Sequence, residues 1–293
     1  MSDLSTEQQH PSAKGLEARG DDALLSVLLD AQCAALEAVR GASGPIAAGA
    51  ALMARAVRSG GRLIYVAAGS SGLMALADAA ELPGTFGLSA DRIRIHMAGG
   101  LPQGADMPGD TEDDVAAATS AARDLTDRDV GIALTASGST PFPCTFARLA
   151  TQAGASVIAI ANNPDVAIFS DAEVAICLPT PPEVIAGSTR MGAGTAQKAT
   201  LNMMSTLMGI RLGHVHDGMM VNLVADNAKL RDRAARMVAS IAGVPHSAAL
   251  TALSASNGAV KPAVLLALGA DASTAARILS DTDGHLRAAL AHL

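Results

Sequence analysis

RLIYVAAGSSGLMALADAAE, residues 62–81, decides the fold. Leu63 to Ala67 form a short apolar run rich in β-formers, and Gly69 to Gly72 form a glycine–serine turn. The small-residue stretch that follows, LMALADAAE, has the composition of a helix. Strand, turn and helix in that order open a βα unit. The apolar run recurs in RIRIHMAGG at 92–100, DVGIALTASGSTP at 129–141, SVIAIANNP at 156–164 and EVAICLPTP at 173–181. Helical stretches separate most of these, notably Asp113 to Leu125 and Thr145 to Ala153. Strands that are apolar throughout and alternate with helices predict a parallel sheet covered on both faces, an α/β three-layer sandwich. Ligands of such sheets bind beyond the C-terminal strand ends, where GSSG and ASGST fall.

Outward from the sheet, residues 1–20 are polar and read as an arm or partly ordered segment. Residues 21–59 carry helical periodicity, broken by GASGP at 41–45 and ended by SGG at 59–61. GSTRMGAGTAQKATLNMMST at 187–206 opens with hydroxyls and cations and continues as one long helix over 195–212. From about residue 220 the chain reads as helical to its end, punctuated by GVPHS, SNG, GADAS and DTDG. The resulting division is 1–58 for the arm and first helices, 59–220 for the sheet domain and 221–293 for a small helical module.

The chain has 293 residues, 49% of them hydrophobic, 17% charged and 2% aromatic, with no Trp. Close packing of Ala and Gly must therefore replace aromatic bulk. A net charge of −7 argues against a nucleic acid or an anionic membrane surface as partner. Cys33, Cys144 and Cys177 are far apart, with neither metal-ligand spacing nor a disulfide framework, which fits a reducing compartment. The N-terminus lacks the apolar core of a signal peptide, and no stretch of about 18 apolar residues exists to span a membrane. A cytoplasmic protein is expected.

GSSG is not a Walker A loop, because no Gly-Lys-Ser/Thr follows, and its spacing is not GxGxxG. ASGSTP, Ala136 to Pro141, offers the hydroxyls of Ser137, Ser139 and Thr140 at a helix start. Two such turns in one sheet can converge on a phosphate through hydroxyls and free N–H groups, or can be two ordinary N-caps. Glu81, Glu112 and Glu183 each stand where a capping or solvated carboxylate is common. His214 and His216 form HxH without a third ligand of suitable spacing, so no metal site is expected.

Together the motifs resemble the N-acetylmuramic acid 6-phosphate etherases, within the wider sugar isomerase (SIS) domain superfamily. The resemblance runs through TEQQHPSAKGLE at 6–17, GGRLIYVAAGSSG, DAAELPGTFG, MAGG, TEDD, ASGSTP, NNP, PEVIAGSTRMGAGTAQKATLNMMST and MMVNLVADNAKLRDRA. It implies a SIS domain with a flavodoxin-like sandwich, and a lyase that releases D-lactate from the sugar phosphate by elimination and then hydration. It places the family's catalytic glutamates on Glu81, as acid toward lactate, and Glu112, as base at C2. Ser70, Ser71, Ser137, Ser139 and Thr140 would form the phosphate cradle, with Ser188 and Thr189 lining the sugar site and Glu183 reaching the sugar. Neither metal nor organic cofactor is implied, the partner is a small-molecule sugar phosphate, and a homodimer is expected.

The chain also departs from the pattern. Leu73 and Ser139 stand where the family usually has Arg, and DAAELPG stands for Asp-Ala-Ser-Glu-Cys-Pro-Pro. His10-Pro11 replaces Asn-Pro, Val221-Asn222 replaces Val-Asp, and Ala225-Asp226-Asn227 replaces Ala-Thr-Asn. These changes leave room for a different amino-sugar phosphate, or for a non-catalytic SIS-domain sensor. Retention of Glu81 and Glu112 favours the enzyme, since a sensor has no chemical need of the pair. Aldose–ketose isomerases of the same fold lack the GSTRMGAGTAQK element.

Overall fold

Residues 4–105, 107 and 110–293 are described here from a computed structural model. Two helices come first, α1 (Asp21–Arg40) and α2 (Ser43–Arg58). Then β1 (Leu63–Ala67) leads into α3 (Gly69–Ala79) and the short α4 (Leu82–Phe86), and β2 (Ile93–Met97) into α5 (Val115–Ala121). Next come β3 (Val130–Thr135), α6 (Pro141–Gln152), β4 (Ser156–Ala161), β5 (Val174–Cys177) and α7 (Gly192–Arg211). The tail is α8 (Ala228–Ala242), α9 (His246–Ala255), α10 (Val260–Ala267), α11 (Ala272–Asp281) and α12 (Leu286–Leu290).

The five strands are all parallel, in the order β2-β1-β3-β4-β5. Every residue of β1 and β3 is buried, whereas most of β2 and β5, at the edges, is only half-buried. That contrast is why the central strands read as unbroken apolar runs. Ile64, Val66 and Ala133 face a layer in which Phe142 and Phe146 of α6 meet Ala118 of α5. The opposite face carries Tyr65, whose hydroxyl donates to Asp78 of α3 at 2.9 Å, and Ile158, over which Gly49 of α2 meets Met204 of α7. The strand order reverses between β1 and β3, and a ligand crevice opens at such a switch point.

The chain divides into two compact units, Met1–Ala79 with Asp91–Ser205, and Ala80–Ala90 with Thr206–Leu293. The arm and first helices thus group with the sheet instead of standing apart over 1–58. The division falls inside α7, not near residue 220, and the DAAE element is cut so that Glu81 goes with the helical unit. The described part of the arm forms short helical turns at Ser5–Glu7 and Leu16–Ala18 and buries Thr6 and Leu16, so it packs as part of the fold. The helical unit has its own core, built on Val238, Leu253, Val264, Leu265, Ile278 and Leu286.

Several boundaries differ from the expected ones for local reasons. GASGP does separate two helices, but the break is only Gly41 and Ala42; Ser43, Gly44 and Pro45 form the first turn of α2, where Pro needs no N–H partner. GSSG is the first turn of α3 itself. Helix α6 begins at Pro141, four residues before the expected Thr145, because Pro suits the first helical position. No single helix among the described residues is long and apolar enough to cross a membrane.

Candidate active site

Beyond the C-terminal ends of β1 and β3, the sheet unit encloses a polar cavity of about 320 Å³. The turn after β1 supplies Ser70 and Ser71, and the last residue of β3 and the turn after it supply Thr135, Ser137 and Thr140. Helices α3 and α6 both start at this cavity, so two dipole ends converge there; N–H groups come from the first turn of α3, because in α6 Pro141 and Pro143 have none and the Phe142 N–H is taken by a carbonyl. An anion the size of a phosphate suits that field.

The second turn is a hydroxyl cluster. Thr135 Oγ1 lies 2.8 Å from Thr140 Oγ1 and 3.3 Å from Ser137 Oγ, and it accepts the Gly138 N–H at 3.2 Å. Gly138 has φ +85°, and a Cβ there would collide with the Val166 side chain. Ser139 is exposed and does not line the cavity; its N–H and hydroxyl both donate to Ser137 Oγ at 3.3 Å. It therefore steadies Ser137, which does line the cavity.

Glu112 forms part of the cavity wall. It packs on the first turn at a place only glycine can occupy, because Gly69 has φ +52° and a Cβ there would stand 2.7 Å from Glu112 Oε1. The Glu112 carbonyl accepts the N–H of Phe142 in α6 at 3.0 Å, which ties this loop to the second turn. Capping of α5 falls to Asp114, which accepts the Ala117 N–H at 2.8 Å, leaving the Glu112 carboxylate uncommitted to that helix. Glu81 is exposed at the residue preceding α4, in the helical unit.

Thr189 lines the cavity, while Ser188 does not; its backbone N–H donates to the Ile185 carbonyl at 2.9 Å, making a turn. Glu183 departs from its expected role. It is 4% exposed, and its carboxylate accepts the Gly192 N–H at 2.9 Å and the Ala193 N–H at 2.8 Å. The anion that the start of α7 attracts is this internal carboxylate, which leaves Glu183 away from the cavity wall.

Sequence reasoning assigned no role to Glu7 and Asn163. The arm brings Glu7 to the cavity wall beside Gly187. Asn163 holds the arm: its Oδ1 accepts the Ser5 N–H at 2.8 Å, and its Nδ2 donates to Thr6 Oγ1 at 3.2 Å and to the Ala136 carbonyl at 3.0 Å. The signal was in the quoted TEQQHPSAKGLE and NNP elements, but the contact spans some 157 residues of sequence. A larger cavity of about 590 Å³, walled by Leu16, Leu24, Leu28 and Val184, is mostly apolar and offers no comparable set of hydroxyls or carboxylates. The smaller polar cavity is the candidate site.

Residues 30–162 match the SIS domain family model. The N-acetylmuramic acid 6-phosphate etherase of Deinococcus radiodurans is 40% identical over 97% of this chain and 94% of its own length. That of Serratia proteamaculans is 40% identical over 98% of both chains, and that of Salmonella typhi 38% identical over 99% of this chain and 98% of its own. The chain belongs to this etherase family. A solved structure from Bacteroides fragilis, described as a phosphosugar isomerase involved in capsule formation, is 18% identical with a TM-score of 0.53. It covers 68% of this chain and 95% of its own, and it shows the shared fold.

Against the etherase pattern, Leu73 lies half-buried on α3 and Ser139 exposed at the mouth of α6. Among the described residues no Lys or Arg lines the cavity, whereas Glu7 and Glu112 both do. An anion held here relies on hydroxyls and N–H groups. Among the described residues no cluster of His, Cys, Asp and Glu is placed to hold a metal ion.

Proposed function

We propose that this chain cleaves the D-lactyl ether of N-acetylmuramic acid 6-phosphate, giving N-acetylglucosamine 6-phosphate and D-lactate. Full-length likeness to proteins of that name supports the substrate. The observation that carries the mechanism is Glu112 in one cavity with both hydroxyl turns. The phosphate sits on Ser70, Ser71, Ser137 and Thr140 at the two helix starts, with Thr189 toward the sugar. In the open-chain sugar the C1 aldehyde acidifies C2. Glu112 removes the C2 proton, the electron pair forms the C2–C3 double bond, and the C3–O bond breaks. Glu81 takes the acid role by resemblance and protonates the departing lactate oxygen. Water then adds at C3 and a proton returns to C2, so one water is consumed overall. A base and an acid positioned in this way each contribute about 10²- to 10⁴-fold. The enzyme is thus a carbon–oxygen lyase of amino-sugar and cell-wall recycling.

Three free cysteines support a reducing, cytoplasmic location. A homodimer is supported by Leu25 (62% exposed), Leu29 (64%) and Leu36 (42%), which make a stripe on one face of α1. A monomer mass by light scattering would remove that reading.

The test is D-lactate release from N-acetylmuramic acid 6-phosphate by the purified protein, beside Glu112→Gln and Glu81→Gln. Collapse of turnover in both variants, with Tm unchanged, is the expected result. The absence of a cation among the described residues of the cavity wall favours one second reading, a sensor or an enzyme for another amino-sugar phosphate. It prevails if wild type releases no lactate while the sugar phosphate raises its Tm.

A further inference from the structure

The helical unit holds a cavity of its own, of about 390 Å³, with Asn222, Lys261, Leu279 and Gly284 among its walls. Lys261 is only 8% exposed, and its Nζ rests against Gly284, 3.4 Å from where a Cβ would stand. Among the described residues no group accepts a hydrogen bond from this ammonium and no carboxylate pairs with it. Burial alone displaces its pKa, to about 8, with no opposing acid. Its place is doubly unfavourable, because Lys261 is the second residue of α10, at the positive end of that helix.

The neighbours add nitrogen bases and no counter-ion. Burial, then Lys261 and His285, hold His214 at about 4, and His214 Nδ1 is buried without a partner. Asn222 commits its Nδ2 to the Phe86 carbonyl at 2.9 Å. The cavity wall thus carries a carboxamide here and not a carboxylate. A buried charge is tolerated when it is paired, and here the pair is missing while the space for one remains.

We propose that this cavity binds a small organic carboxylate, held by the Lys261 ammonium. The remaining walls, Val221, Leu223, Val260 and Leu279, are apolar and suit a short aliphatic body. One cation and few donors match a monoanion. A phosphate dianion would bring more charge than Lys261 offsets and more acceptors than the walls can satisfy.

The experiment is calorimetric titration of the full-length protein with sodium propionate in a low-chloride buffer at neutral pH, for wild type, Lys261→Met and Asn222→Asp. Wild type shows saturable binding at one site per chain. Both variants weaken it about tenfold or more, the first by removing the cation and the second by supplying an internal carboxylate. If Lys261→Met does not fold, loss of propionate binding in Asn222→Asp carries the test; its Tm does not, because that substitution also removes the Nδ2 bond to the Phe86 carbonyl. Equal propionate binding by wild type and either variant overturns the site. Inorganic phosphate titrated in parallel decides the class: binding that depends on Lys261 for phosphate but not for propionate rejects the carboxylate.

Discussion

Glu183 and Lys261 are both buried charges at the start of a helix, and their surroundings treat them oppositely. Glu183 receives two N–H groups from the first turn of α7. Lys261 stands in the first turn of α10 with the dipole against it and no acceptor among the described residues. The polar cavity of the sheet unit mirrors the difference, with two carboxylates and, among the described residues, no cation on its wall. A buried charge that is fully satisfied belongs to the scaffold. One that is not satisfied is a place where something else is bound.

The largest effect tests the first half of the comparison. Glu183→Ala strips two buried N–H groups of a charged acceptor and should cost about 3 kcal/mol, read by denaturant unfolding or as a Tm lower by several degrees. Glu183→Gln keeps an acceptor and should cost less than half of that. An unchanged Tm with a raised KM in Glu183→Ala would instead return Glu183 to the substrate.

A smaller effect probes the missing cation. Ser139→Arg places a guanidinium at the mouth of the phosphate cradle, where the etherase pattern has one. A charge-assisted bond there should lower KM for the sugar phosphate about three- to tenfold at low salt, with kcat little changed and the gain shrinking as salt rises. No change in KM at any salt would mean that the hydroxyls and N–H groups already saturate the phosphate.

What was legible in the sequence follows from the range of each force. The strands could be read because β1, β3 and β4 are buried on both faces, so all but Thr135 and Ser156 at strand ends had to be free of strongly polar side chains. The two hydroxyl turns could be read because they follow those strands directly. Glu112 stood out only through resemblance, since an acid beside Asp113 and Asp114 looks like a cap; the cap is in fact Asp114. Resemblance alone sends Glu183 to the sugar, and no local pattern marks it as a cap, because it accepts from nine residues away. The Asn163 tether and the Lys261 cavity were not legible, because each depends on segments far apart in the chain. Within AVKPAVLLA nothing marks the lysine as buried.

A further effect lies in pH and bears on Lys261 directly. Its folded-state pKa of about 8 is below the ordinary 10.5, so between those values the unfolded chain holds a proton that the folded chain has released. Stability must therefore rise with pH across that window, and below about 8 the cost of the buried ammonium is fully present. His214 faces the same ammonium but is held at about 4, so it does not titrate in this range. Denaturant unfolding from pH 7.5 to 10.5 should show the rise in wild type and lack that increment in Lys261→Met. Saturating propionate should diminish it in wild type too, because a bound carboxylate holds the proton on Lys261. A wild-type rise that propionate leaves untouched would keep the buried lysine and remove its ligand.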